Sequence, residues 1–284
     1  MKPAPFDYCR PATVSEVLAL LRESDGEAKI IAGGQSLGAM LNLRLAAPGK
    51  LIDISGIRAL ASIGVEGEHL RIGSMVRHVD VFESEYLADH LPLLREAYSH
   101  VAHASVRNRG TLGGNVCHAD PASELPAVLQ ALDATMTIGG ESGERIVPAD
   151  DFFVGLFETA VKEGEMLLDI AIPLAAGEKA WGFCEAATRR GDFAYLAVAI
   201  TAEFEGGTLR DVRAAYAGLA DRPMRCAEVE AVLEGKALTP ELAAEAGGVA
   251  SDTLELSGDA IVSVEHRMDL AKCLTARALD MLAG

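Results

Sequence analysis

Lys29-Ile30-Ile31-Ala32-Gly33-Gly34-Gln35-Ser36 decides the fold of the first part of this chain. A short apolar strand, Lys29 to Ala32, runs straight into paired glycines that make a tight turn, and Ser36 to Arg44 then continues with helical spacing. Upstream, Thr13-Val14-Ser15-Glu16 has the form of a capping box and opens a helix with Val17, Leu18, Leu20 and Leu21 on its apolar face, ended by Asp25-Gly26. Downstream, Leu51-Ile52-Asp53-Ile54 reads as the next strand. Helix, strand, glycine turn, helix and strand make a small α/β subdomain over about residues 1–55.

The glycine turn has a counterpart in Arg107-Asn108-Arg109-Gly110-Thr111-Leu112-Gly113-Gly114-Asn115. Paired glycines beside a hydroxyl or amide side chain let backbone N–H groups come close to an anion. The first loop also lies between a strand and a helix, where free N–H groups and the helix dipole favour phosphate. Alone, the first loop reads equally as a glycine turn joining strand to helix, and the second, though it can be read as a long surface loop, carries more glycine than such a loop needs; together they point to one extended, phosphate-bearing cofactor gripped from two sides. Neither loop is GxGxxG or GxxxxGK[ST], which disfavours nicotinamide and P-loop nucleotide sites.

Composition narrows the partners. The 284 residues are 50% hydrophobic and 24% charged, enough for a sizeable core in one large or two ordinary domains. With 42 acidic against 25 basic residues the formal charge is −17, which argues against nucleic acid and anionic membrane surfaces as partners. No apolar stretch reaches the ~20 residues of a membrane span and the first residues lack a signal-peptide core, so a cytoplasmic location is expected. The five cysteines show no CxxC spacing and suggest neither a disulfide framework nor a bound cluster. His100, His103, Cys117, His118 and Asp120 cluster in sequence but lack the paired ligands of a structural zinc site.

From about residue 60 the pattern turns to hairpin material, with a strand at 69–73 and a short helix at 78–84. Leu91 to His103 has near-helical spacing and leads into the second loop, which is expected to be held between helices; Ser123 can cap a helix carrying Leu125, Val128, Leu129 and Leu132. Strands follow at 134–138 and 166–172, the latter closed by Pro173. Ala175-Ala176-Gly177 is the best linker, giving domains at 1–177 and 178–284. Strands at 182–188, 195–204 and 209–216, then helices at 227–233, 240–246 and 264–282, predict an α+β second domain with helices covering one sheet face.

The two glycine loops, His118-Ala119-Asp120-Pro121-Ala122-Ser123-Glu124-Leu125-Pro126, and Arg189-Arg190-Gly191-Asp192-Phe193-Ala194 together resemble the FAD-binding medium subunit of molybdenum hydroxylases, most closely the aerobic carbon monoxide dehydrogenase type within the xanthine dehydrogenase family. The resemblance runs from about residue 3 to the C-terminus. It implies an α+β architecture: a PCMH-type FAD-binding domain in two subdomains (about 1–55 and 56–177), followed by the C-terminal domain typical of these flavoproteins. It also implies a division of labour, in which a large molybdopterin subunit oxidises substrate and a small subunit with two [2Fe-2S] clusters relays electrons. FAD in this chain would pass them to an external acceptor, with the complex a dimer of heterotrimers.

Carried over by position, Ala32, Gly33, Gly34, Gln35 and Ser36 would surround the FAD pyrophosphate, with Thr111, Gly114 and Asn115 completing its binding from the other side. Glu124 stands where the family usually has an aspartate near the cofactor's sugar-like chain; it also reads as a first-turn carboxylate complementing a helix dipole. Leu167 would give an apolar contact to the isoalloxazine, and Phe193 would lie near the ring; both also read as core residues. Asp192 reads as the residue that fixes the turn. Two departures stand out: Glu185 replaces a lysine that some relatives place near the flavin, and Cys117 replaces a small apolar residue. No acid–base pair or metal site is indicated, as expected where the cofactor carries the chemistry. Two alternatives stand beside it: a free-standing oxidase of this fold, though the sequence lacks a histidine or cysteine motif for covalent flavin attachment, and a scaffold that has lost FAD, against which the intact glycine loops argue.

Overall fold

The computed structural model describes residues 2–174, 179–219 and 221–282; the Ala175-Ala176-Gly177 linker expected from sequence lies outside the described residues. The first layer comprises β1 (Asp7–Cys9), α1 (Val14–Glu23), β2 (Ala28–Ile31), α2 (Leu37–Leu43) and β3 (Lys50–Asp53). Its sheet is parallel, in the order β1-β3-β2. Thr13 caps α1 by accepting from Glu16 N, and Glu16 reaches back to Ala12 N, one residue beyond an ideal capping box. β1, with three residues, is too short to show a period and is not legible from sequence.

The second layer contains β4 (Ile63–Glu66), β5 (His69–Gly73), α3 (His78–Phe82), α4 (Glu85–His90), α5 (Pro92–Tyr98), α6 (Ala104–Arg107), α7 (Leu112–His118) and α8 (Glu124–Ala131). It continues with β6 (Thr135–Gly140), β7 (Gly143–Pro148), α9 (Ala149–Phe152), a small hairpin of β8 (Phe153–Gly155) and β9 (Glu158–Thr159), and β10 (Met166–Pro173). An antiparallel sheet ordered β4-β5-β10-β6-β7 carries the helices on one face. The pairing of β10 with β6 slips between Leu167 and Asp169, and the extra residue, Leu168, gives its carbonyl to Ser74 N.

The third layer is an antiparallel sheet ordered β11 (Ala180–Ala186), β12 (Leu196–Glu205), β13 (Thr208–Ala217) and β14 (Met224–Arg225), with α10 (Ala227–Leu233), α11 (Pro240–Thr253) and α12 (Val264–Leu282). The domain's own helices cover one face, as expected, and the other face is covered too. Leu196, Val198 and Ile200 of β12 face α10–α12, while Ala197 and Ala199, with Ala215 and Ala217 of β13, belong to the core built around α5 and α8. Small alanine side chains let α8 approach closely, and Thr201 Oγ1 donates to Ala131 O at 2.8 Å to close the contact. Backbone bonds add to it: Ala194 N to Ala122 O at 3.3 Å and Gly218 N to Pro121 O at 2.7 Å.

On the other face α12 packs so tightly that a Cβ at Gly182 would lie 1.9 Å from Ala278 O. Gly182→Ala is therefore expected to cost ~1–3 kcal/mol and to lower the thermal midpoint by several degrees. Gly248→Ala in α11, where a Cβ meets nothing within 4 Å, is the matched control and should be neutral or mildly stabilising in the same melt.

Candidate functional site

A cleft of about 1110 Å³ opens between the layers, above the ~300–1,000 Å³ of ordinary small-molecule sites. Its walls are the β2–α2 turn, the α6–α7 junction, the start of α8, the β9–β10 connection and residues 191–193. All the residues expected at the cofactor line it: Ala32, Gly33, Gly34, Gln35, Ser36, Thr111, Gly114, Asn115, Glu124, Leu167 and Phe193. They come from five separate places in the chain, so only the fold brings them together.

The two glycine loops touch. A Cβ on Gly33 would lie 2.2 Å from Arg109 O and 2.7 Å from Gly110 Cα. Gly110 in turn is packed against His78, whose N donates to Gly110 O at 3.0 Å. Gly34 has φ +70°, a conformation that glycine adopts without strain. Gln35 Nε2 bonds Gly33 O at 3.0 Å and holds the turn.

The loops differ in what their backbones offer. Among the described residues none accepts a hydrogen bond from the N–H of Gly34, Gln35 or Ser36, so these amides remain available to an anion. The second loop is not a loop throughout. Thr111 is the N-cap of α7, and its amides are spent inside the protein: Leu112 N on Val76 O, Gly113 N on Ser74 O, Gly114 N on Thr111 Oγ1 and Asn115 N on Thr111 O. The expectation that its N–H groups meet an anion is corrected for these four positions. Its glycines instead remove bulk: a Cβ on Gly113 would lie 2.5 Å from Ser74. The first wall supplies donors and the second supplies room.

Side chains complete the picture. Asn115 Oδ1 accepts from Ser123 Oγ at 3.0 Å, which turns the Ser123 hydroxyl away from its expected capping role. Leu167 is buried beside the β10 bulge, whereas Phe193 is 66% exposed at the rim. Asp192 accepts from Arg189 and fixes the turn below Phe193, as the sequence suggested. Glu185 lies outside the cleft: its carboxylate is buried on β11, 3.6 Å from His100 Nδ1.

Sequence reading missed Phe157, His118 and Lys162, which also line the cleft. The Phe157 and His118 rings lie 5.0 Å apart, and Phe157 has φ +56°. A signal existed, since Val154, Leu156 and Phe157 are exposed apolar residues at a hairpin where turns are normally polar.

Burial governs the protonation of the cleft. It pushes Glu124 up to about 8, with the Glu185 and Asp120 carboxylates adding to the effect, so Glu124 is mainly neutral at pH 7. It lowers His78 to about 4, leaving a neutral imidazole 3.3 Å from Tyr98 OH. Cys117 lines the cleft with an exposed side chain, and desolvation by the surrounding protein atoms raises its thiol pKa.

Residues 4–175 match the family described as FAD binding domain in molybdopterin dehydrogenase, and residues 181–282 match the CO dehydrogenase flavoprotein C-terminal domain. The chain is 38% identical over 284 residues to caffeine dehydrogenase subunit beta of Pseudomonas sp. (strain CBB1), covering 100% of this chain and 96% of the relative. It is 35% identical over 280 residues to the carbon monoxide dehydrogenase medium chain of Hydrogenophaga pseudoflava, covering 99% and 98%. A solved structure of carbon monoxide dehydrogenase from that organism, lacking the Mo-pyranopterin moiety of the molybdenum cofactor, matches with a TM-score of 0.97 at 36% identity, covering 100% of this chain and 99% of the other. Motifs, cleft and whole-chain similarity agree: the chain belongs to the FAD-binding medium subunits of multisubunit molybdenum hydroxylases, as the electron-transfer component of an oxidoreductase.

Proposed function

We propose that FAD spans the cleft with its pyrophosphate against Ala32 to Ser36, faced by Thr111, Gly114 and Asn115. Glu124 lies at the sugar-like chain, and Leu167 and Phe193 lie at the isoalloxazine. The observation that carries this reading is the contact of Gly33 with Arg109 and Gly110, which builds one cradle from two distant loops and leaves the amides of Gly34, Gln35 and Ser36 free. Bound FAD supplies the exchange of electrons between iron–sulfur clusters and an acceptor. The chain's own work is to bind and orient. Backbone amides meet phosphate charge, the buried Leu167 wall excludes water, and Glu124 and His78, both mainly neutral at pH 7, spare the cofactor a nearby charge.

The chain would work with a small [2Fe-2S] subunit and a large molybdopterin subunit, as a dimer of heterotrimers in the cytoplasm. Its domains would divide at 1–177 and 178–284. No described helix is long and apolar enough to cross a membrane, in keeping with this location. Co-expression with both partners tests the reading. The expected product is a yellow complex with one FAD per copy of this chain and a native mass of two heterotrimers. A colourless chain that cannot be reconstituted with FAD would overturn the cofactor site, and a complex of single heterotrimers would overturn the pairing.

A further inference from the structure

We propose that a rim of arginines beside the cleft, Arg77, Arg107, Arg109, Arg189 and Arg190, docks an acidic electron-transfer protein that takes electrons from the cofactor. The proposal rests on FAD occupying the cleft with its ring near Phe193. No Asp or Glu occurs from Ala97 to Ala119, in a chain that carries 42 acidic residues among 284. The fold gathers the arginines of this acid-free stretch with others from two further places. Arg77 precedes α3 and pairs with Thr111 in an isolated bridge, and its Nη1 donates to Asn108 O at 3.2 Å. Arg107 ends α6, and its Nη1 donates to Val101 O at 2.9 Å and Ala102 O at 2.8 Å. The turn between β11 and β12 lies against the same segment. A Cβ on Gly191 would be 2.8 Å from Ala102 O and 2.9 Å from His103 Nδ1, and Arg190 Nε donates to Ser99 O at 2.9 Å. Ala102, His103, Gly191 and Phe193 line the cleft, so the rim adjoins it beside the exposed Phe193.

These guanidiniums are oriented without being neutralised. Backbone carbonyls hold Arg77, Arg107 and Arg190, and among the described residues none of these three, nor Arg109, makes an ion pair. Of the five, Arg189 alone meets a carboxylate, that of Asp192 at 3.1 Å. Arg77, Arg109, Arg189 and Arg190 are exposed, so their free N–H donors face solvent. Of the carboxylates bordering the rim, Glu96 lies 3.6 Å from His100 and Asp80 sits in the first turn of α3. Like charges fixed side by side repel one another, and a partner of opposite sign relieves that cost.

The chain's charge of −17 repels an acidic protein at long range, so its approach is productive only where the sign is locally reversed. A transient partner fits this rim better than a permanent subunit. The cores of lasting interfaces are depleted in charge, whereas electron-transfer encounters are small and steered by complementary charge. Transfer at the rim oxidises the reduced cofactor and reduces the docked protein. The two electrons leave for two copies of a one-electron carrier, and the released protons pass to solvent.

The test uses the FAD-loaded complex, photoreduced anaerobically with a sacrificial donor, and two forms of cytochrome c. Native cytochrome c is basic; the succinylated form carries carboxylates in place of its lysine amines, so the same haem is offered on surfaces of opposite charge. At low ionic strength the ratio of second-order reduction rates, succinylated over native, should fall about tenfold in Arg77→Gln/Arg190→Gln. The difference should vanish in ~1 M salt, where the Debye length is ~3 Å. Gln keeps a donor for Asn108 O and Ser99 O, and Arg77→Lys/Arg190→Lys, which keeps the charge, should retain the wild-type ratio. A yellow Gln variant with an unchanged ratio would overturn the docking rim. So would a Gln variant that no longer assembles with the iron–sulfur partner, since the rim would then belong to a permanent interface. A colourless wild-type complex would instead overturn the cofactor site beneath it.

Discussion

Gly33→Ala is expected to purify without colour. Its new methyl carbon would lie 2.2 Å from Arg109 O and 2.7 Å from Gly110 Cα, both backbone atoms that no rotamer change can move aside. The two walls must separate, and the amides of Gly34 to Ser36 lose their alignment. Overpacking at the upper end of its usual range, ~3 kcal/mol, corresponds to about a hundredfold loss of FAD affinity. Equilibrium flavin binding to the cofactor-stripped complex measures it. Gly38→Ala sits a few residues on, where a Cβ meets nothing within 4 Å, and should retain full flavin. If Gly33→Ala binds FAD as the wild type does, the loop contact does not build the site.

Glu124→Gln should stabilise the cofactor-free chain, and the gain should grow with pH. The folded-state pKa is raised to about 8 from an ordinary 4.5. Between those values the folded chain binds the extra proton, so stability is full below about 4.5 and is lost as pH rises toward 8. The slope is ~1.4 kcal/mol per pH unit, so at pH 7 the variant should exceed the wild type by ~3 kcal/mol. His78 acts oppositely. Its folded-state pKa is lowered from 6.5 to about 4, so its contribution is full above 6.5 and is lost as pH falls toward 4. The two slopes oppose each other where their windows overlap, below pH 6.5, and above it that of Glu124 acts alone. Urea unfolding of both proteins at pH 5, 6, 7 and 8 measures the difference; a constant offset would show that Glu124 is not held protonated.

Much of this was legible in the sequence, for identifiable reasons. Helices 227–233 and 264–282 carry an unambiguous 3.6-residue period and appear with those bounds. The β2–α2 turn was readable because apolar strand, paired glycines and helical spacing agree. The second loop misled because Gly113 and Gly114 look like loop residues, whereas the absent side chain of Gly113 admits Ser74, that of Gly114 makes room for Thr111 Oγ1, and α7 begins at once. The double coverage of the third sheet was hidden because Ala197, Ala199, Ala215 and Ala217 are weak hydrophobic signals singly and gain meaning only when α8 lies on them. Among site residues, glycine and amide positions announced themselves, but Phe157 and His118 meet only across the fold. Glu185 could be placed by position in the chain, but not by its buried partner.

The alanine face beneath α8 also bears on assembly of the holoprotein. Glu124 begins that helix, Ala122 and Pro121 just before it are bonded to Ala194 and Gly218, and Phe193 stands next to Ala194. The C-terminal domain thus acts as a jig that sets the last wall of the cleft. A chain cut short before β12 is therefore expected to hold FAD more weakly than the whole chain, and equilibrium flavin binding measures the difference.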